Sequence, residues 1–163
     1  MLRTIKVLIR KSVFSLLAIS IMFACTNDNP DPTGLFDAEF TGDFEETLEG
    51  SATFELEPRG SNGIIIVYLR ESNDVFIRLS FPNASPNTVF IEPGTYTIVT
   101  QLGNDLASEV LVDFIDGNAS FSASSGQVNI GISKPTQLAG TIANAEFQIL
   151  RSMCNGTFNS IPE

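Results

Sequence analysis

Ile64 to Phe81 reads IIIVYLRESNDVFIRLSF, two apolar runs around a short polar turn. The first run, Ile64 to Leu69, is six residues long and rich in β-branched side chains. That length and composition predict a central strand buried on both faces. Glu71 to Asp74 supplies turn residues. The second run alternates: Val75, Ile77, Leu79 and Phe81 fall on one face, and Phe76, Arg78 and Ser80 on the other. A period of two is the signature of a strand with one face on a core. This segment therefore sets the fold class as all-β.

The same pattern continues outward in both directions. Phe36, Ala38 and Phe40 alternate with Asp37 and Glu39, and Phe54 and Leu56 lie between polar neighbours. Pro58 to Gly63 and Pro82 to Asn87 are turn clusters, with short strands expected at Val89 to Ile91 and Thr95 to Thr100. Glu109 to Ile115 and Ala119 to Ala123 flank Asp116-Gly117-Asn118, which predicts a hairpin with a type I′ turn. Ser125-Gly126 predicts a second hairpin, with Phe121 and Ala123 matched across it by Val128, Ile130 and Ile132. Leu138 to Ile149 forms a long strand, bent near Gly140 or Asn144, and Gly156 to Phe158 belongs to a last one. No stretch has helical periodicity over ten or more residues. About nine or ten strands with turns every 8–12 residues predict an antiparallel β-sandwich of immunoglobulin-like layout over 35–163; the alternative is a lipocalin-like β-barrel.

The first 24 residues carry an address. Arg3, Lys6, Arg10 and Lys11 precede an uncharged apolar run, Val13 to Ala24. A basic start, a short apolar run and a small residue before the cut form a secretory signal. The run is shorter than the ~20 apolar residues that a membrane-spanning helix needs. Ile21, Met22, Phe23, Ala24 and Cys25 resemble a bacterial lipobox, with Met22 and Phe23 where leucine and a small residue are commoner. The resemblance implies a diacylglyceryl group on the Cys25 thiol and cleavage before it. Each buried methylene contributes ~0.8 kcal/mol, so several acyl chains would anchor stably. Thr26 to Gly34, TNDNPDPTG, has nothing apolar to bury and reads as an extended tether.

Charge narrows the partners. All nineteen acids lie after Cys25, whereas four of the nine bases precede it. The mature part would carry a charge of about −14, a surface that repels nucleic acid and anionic headgroups. The lipid, and not the domain face, would then be the membrane contact. With Cys25 acylated, Cys154 has no partner and reads as a small buried hydrophobe.

Chemistry is sparse. Histidine is absent, which removes histidine triads, Cys-His pairs and histidine metal ligation. Lys134 sits between Ser133 and Pro135 and reads as part of a turn. Asp37, Glu39, Asp43, Glu45, Glu46 and Glu49 are dense enough for a carboxylate-based hydrolase, and more simply form a solvated strand face and loop. Asp113, Asp116 and Asn118 offer oxygen ligands of the kind calcium takes, although the hairpin already accounts for them. Tyr68 and Tyr96 read as core and not as sugar-stacking platforms.

Ser125-Gly126-Gln127-Val128-Asn129-Ile130, Leu138-Ala139-Gly140-Thr141 and Asn155-Gly156-Thr157-Phe158 together resemble the C-terminal half of small Bacteroidetes lipoproteins whose β-sandwich domain has no assigned role. The resemblance implies an envelope address and carries no catalytic residues. The expectation is a lipid-anchored outer-membrane protein facing the periplasm or the surface. It would be a non-enzymatic binding or structural module with no cofactor and no metal. A carrier of a small apolar ligand and a carboxylate hydrolase are the alternatives.

Overall fold

The computed structural model describes residues 33–83, 87, 89, 91–102 and 108–163. The leader, Cys25 and most of the tether lie outside the described residues. A compact unit runs from Pro32 to Glu163. Its described residues form ten strands: β1 (Leu35–Gly42), β2 (Glu46–Arg59), β3 (Asn62–Arg70), β4 (Val75–Asn83), β5 (Gly94–Ile98), β6 (Glu109–Asp116), β7 (Ala119–Ser122), β8 (Ser125–Lys134), β9 (Gln137–Phe147) and β10 (Ser152–Pro162).

The strands form one sheet in the order β4-β3-β2-β1-β10-β9-β8-β5-β6-β7, and β4 also pairs with β6. That extra pairing, Val75 to Ser80 against Asp116 to Leu111, closes a ring of nine strands, with β7 attached to the other edge of β6. The fold is thus a closed β-barrel: the expected immunoglobulin-like sandwich is corrected, and the lipocalin-like barrel given as its alternative fits. Most neighbours are antiparallel; β5 meets β6 in parallel through Thr97–Glu109 and Ile98–Val110.

The interior follows the alternation read from the sequence. Phe36, Ala38 and Phe40 of β1, Ile65, Val67 and Leu69 of β3, and Ile77, Leu79 and Phe81 of β4 all face inward and are buried. Phe40 meets Phe114 and Phe147 at ring-centroid distances of 4.9 and 5.5 Å near one end of the barrel. Phe81 meets Tyr96 edge-on at 5.2 Å elsewhere in the core. Aromatic pairs at such distances add to the area they bury. On the outward face of β3 Ile66 is only 7% exposed, but Ile64 and Tyr68 beside it are half-buried, so the expected burial on both faces holds only at the strand's centre.

Closure depends on how tightly the sheet coils. Gly140 lies between inward Leu138 and Ile142, and a Cβ built there would stand 2.2 Å from the backbone oxygen of Asn129 on β8. Gly50, between Leu48 and Ala52, meets the Arg70 oxygen of β3 in the same way, also at 2.2 Å. Missing side chains at inward positions let neighbouring strands approach and the sheet curl. A flat pair of sheets has no need of them, which is the physical reason the sandwich expectation fails.

The bend expected in β9 is a bulge. Asn144 has a positive φ of 51° and sits where the register against both β8 and β10 shifts. Its N–H donates to the Asn155 Oδ1 of β10 at 2.8 Å, so the extra residue is satisfied. Two turn readings change. Of the two central residues between Asp116 and Ala119 only Gly117 has positive φ, 58°, which fits a type II′ turn and not type I′. Ser125-Gly126 makes no hairpin: β7 pairs with β6, and β8 with β9 and β5. The chain instead crosses from one strand to another, Ala123 N donating to the Val112 oxygen and Ser124 N to that of Glu146. Val89 and Ile91 lie outside any strand, although Ile91 is buried.

Gly140→Ala is expected to lose about 1–3 kcal/mol in chemical denaturation, because the backbone it would strike cannot rotate away. Gly131→Ala, where nothing lies within 4 Å of the added carbon, should stay within about 0.5 kcal/mol of the parent.

Candidate functional site on the outer face of β3, β4 and β6

Three strands at the closure present a continuous outer face. Their register sets it out in rows. Tyr68 pairs with Arg78, Arg78 with Asp113, and Asp113 with Ser122 of β7. One row along, Ile66 pairs with Ser80 and Ser80 with Leu111. An apolar row thus flanks a polar one.

The polar row is bonded across the seam. Arg78 donates from Nη2 to Asp113 Oδ2 at 2.8 Å. Ser122 donates from Oγ to Asp113 Oδ1 at 2.6 Å. The Asp113 side chain is 10% exposed and that of Arg78 is 42% exposed. The carboxylate is therefore held by both oxygens, while the guanidinium reaches toward solvent. Its Nε is buried without an acceptor among the described residues. Beside this row Tyr68 donates its hydroxyl to Glu55 at 2.9 Å, and Arg70 lies 4.1 Å over its ring. Burial, then the Glu55 hydrogen bond, holds the Tyr68 hydroxyl above its usual range. Tyr68 is thus an outward residue with one ring face covered, not core. Tyr96 is core, donating its hydroxyl to the Glu92 oxygen at 2.7 Å.

A groove of about 350 Å³ opens on this face. Ile64, Ile66 and Leu111 form its floor, with Arg78 and Ser80. Thr100 to Leu102, after β5, and Glu57 and Arg59 of β2 complete it. Arg59 is paired with Glu57 at 3.3 Å, both well exposed, so that pair adds little stability. Four of its ten lining residues are aliphatic, and its two guanidinium groups are each paired with a carboxylate, Arg59 with Glu57 and Arg78 with Asp113. A second depression, about 450 Å³, lies by Thr41, Glu146, Arg151 and Met153. There Glu146 accepts from Ser125 and Arg151 pairs with Asp43, so its charges are already matched.

Of the acids singled out in the sequence, the register sets Asp37 opposite Glu49 on β1 and β2, on the exposed face. Asp37, Glu39, Asp43, Glu45, Glu46 and Glu49 are all exposed along β1, β2 and the loop between them. Asp113 is engaged by Arg78 and Ser122, whereas Asp116 is exposed at the hairpin. Among the described residues no three His, Cys, Asp or Glu side chains are placed to hold a metal ion. Ser133 Oγ accepts from the Ile91 N–H at 3.3 Å and is not poised by Lys134. Cys154 is buried at 1% exposure, and burial pushes its thiol up to about 12. Cys25, the predicted lipidation residue, is outside the described residues. The Arg78–Asp113 seam was not anticipated. Its signal is there: an arginine in FIRLS and an aspartate in LVDFI interrupt two apolar strands with opposite charge.

Asp113→Ala is expected to cost about 1–3 kcal/mol, since Arg78 and Ser122 both lose their acceptor. In a double-mutant cycle with Arg78→Leu the losses should be less than additive. Cys154, in a Cys25→Ala background, should react with a disulfide reagent at pH 8 only on unfolding. Its folded thiol stays neutral while the unfolded thiol ionises. Stability from this group is therefore full below about 9 and falls as pH rises toward about 12. Cys154→Ala should flatten that alkaline slope.

Comparison of the chain with family models, with curated proteins and with solved structures found no match.

Proposed function

We propose that the chain is a lipid-anchored protein of the outer membrane whose barrel serves as a non-enzymatic binding or structural module of the cell envelope. The observation that carries this reading is the basic, then apolar, leader that ends on Ala24-Cys25. A signal of that shape with a cysteine at the cut would leave the thiol as residue one of the mature protein. Ten steps of chain from Cys25 to Leu35 reach at most about 35 Å, so the barrel would stay close to the bilayer. Its acidic charge would keep the barrel wall off anionic headgroups and leave contact to the acyl chains. The non-enzymatic part rests on a sequence without histidine and on the exposure of the dense acids of β1, β2 and the loop between them.

A second reading, a lipocalin-like carrier of a small apolar ligand, has the closed ring of strands in its favour. Two features weigh against it. Phe40, Phe54, Phe81, Phe114 and Phe147 are fully buried inside the ring. The ring also has nine strands with a parallel β5–β6 contact, where an up-and-down lipocalin barrel has eight. Recognition on this reading of a filled barrel falls to its outer wall and loops.

Cells fed an alkyne fatty acid should yield a labelled protein in the membrane fraction, and Cys25→Ala should lose the label and leave that fraction. A Cys25→Ala protein that keeps both would overturn the anchor. Protease treatment of intact cells then separates surface from periplasmic exposure.

A further inference from the structure

We infer that Asn62, at the β2–β3 hairpin, is a site of spontaneous deamidation that sets a new carboxylate beside Arg59 at the edge of the groove. The inference does not depend on the lipid anchor.

The ground in the sequence is the pair Asn62-Gly63. A glycine after asparagine has no side chain to shield its own nitrogen, and it moves easily into the conformation the reaction needs. The Gly63 nitrogen gives its proton to hydroxide and attacks Cγ of Asn62. The bond from Cγ to Nδ2 breaks, and Nδ2 leaves as ammonia. The five-membered imide then takes up one water molecule. Opening at Cγ restores the normal backbone with an aspartate side chain. Opening at the main-chain carbonyl routes the backbone through the side chain as isoaspartate. Nothing is oxidised or reduced, and water is the only co-reactant consumed.

The ground in the structure is a contrast with Asn155-Gly156, the other such pair in the chain. An extended backbone holds the attacking nitrogen away from Cγ, so either site reacts only when its strand opens locally. Strand ends open far more readily than the middle of a sheet. Asn62 forms the last pair of β3 with β2, opposite Arg59, beside the turn at Gly60-Ser61. Gly63 pairs on its other side with Asn83, where β4 ends. Asn62 is exposed, and among the described residues its side chain has one long hydrogen bond, Ser61 Oγ donating to Oδ1 at 3.5 Å. Asn155 is exposed too, so exposure does not separate the two sites. Its Oδ1, however, accepts from the Asn144 N–H at 2.8 Å, and Gly156 lies between Ala38 of β1 and Ile142 of β9. A Cβ on Gly156 would stand 2.5 Å from the Asp37 oxygen, so β10 is closely packed there. Asn155 is therefore held, and Asn62 is not. Residues directly opposed on two strands have Cβ atoms about 5 Å apart, which brings the new carboxylate within reach of Arg59. Arg59 lines the groove and already faces Glu57, so deamidation gives it a second carboxylate and adds one negative charge at the groove's edge.

The test is to hold the full chain, folded, in mildly alkaline buffer and to follow two tryptic peptides, 60–70 and 152–163, by mass and retention. The 60–70 peptide should gain one mass unit and split into aspartate and isoaspartate forms, at least about tenfold faster than 152–163 is modified. In concentrated urea the two peptides should react at similar rates, because the sheet no longer separates them. An Asn62→Gln protein, in which the attack would have to close a larger ring, should keep 60–70 unchanged. A folded protein in which Asn155 reacts as fast as Asn62, or in which 60–70 stays intact while the urea-unfolded chain reacts at both, would overturn the site. None of these results touches the anchor, which is read from acyl labelling of Cys25.

Discussion

The pairing of β4 with β6 is the constraint on which the rest depends. Without it the nine strands would be an open, curled sheet with two long edges, and open edges invite pairing with other chains. With it, Val75 to Ser80 and Leu111 to Asp116 satisfy each other's backbone, and the interior side chains are enclosed from all sides. The short β5 could not have done this alone, since it meets β6 at only two residue pairs. β7 completes the wall beside β6 where β5 has ended, and Ala123 and Ser124 carry the chain across to β9.

The filling of the ring follows from its size. Eight or nine strands enclose a space just wide enough for side chains. Here phenylalanine fills it, because thirteen phenylalanines stand in a chain with no tryptophan. Among the described residues seven of them, at 36, 40, 54, 81, 114, 147 and 158, are buried. The inward glycines are the counterpart of these large rings: where Gly140 brings β8 close, the ring of Phe158 occupies the space a Cβ would have taken, 3.0 Å from that position.

Much of the strand pattern was legible, because period-two alternation is a local property. The inward faces of β1 and β4 could be read directly, whereas the outer face of β3 is buried at Ile66 and only half-buried at Ile64 and Tyr68. Closure was not legible, because it depends on which strands pair over long separations: β1 with β10, β4 with β6. A sandwich and a barrel are built from the same local pattern. Ser125-Gly126 misled for a related reason. Glycine there admits the close approach of the Asn144 oxygen, 2.5 Å from where a Cβ would lie, and does not turn the chain. The candidate groove was hidden because Arg78 and Asp113 each read as an ordinary outward residue until the register set them side by side.

An interior lined by buried phenylalanines has a consequence for recognition. When the inside of a barrel is occupied by its own side chains, specificity has to be written on the outside, where most positions of this chain are acidic or small and polar. The outer face of β3, β4 and β6 departs from that rule by being apolar around a bonded pair of opposite charges. The departure coincides with the seam of the barrel. A buried or half-buried ion pair is weak support for stability, since desolvation offsets much of the attraction. Ser80 and Leu111, or aliphatic residues in place of Arg78 and Asp113, would close the seam through the same backbone bonds. The pair therefore adds something that closure does not need: a guanidinium fixed against Asp113, whose other oxygen Ser122 holds.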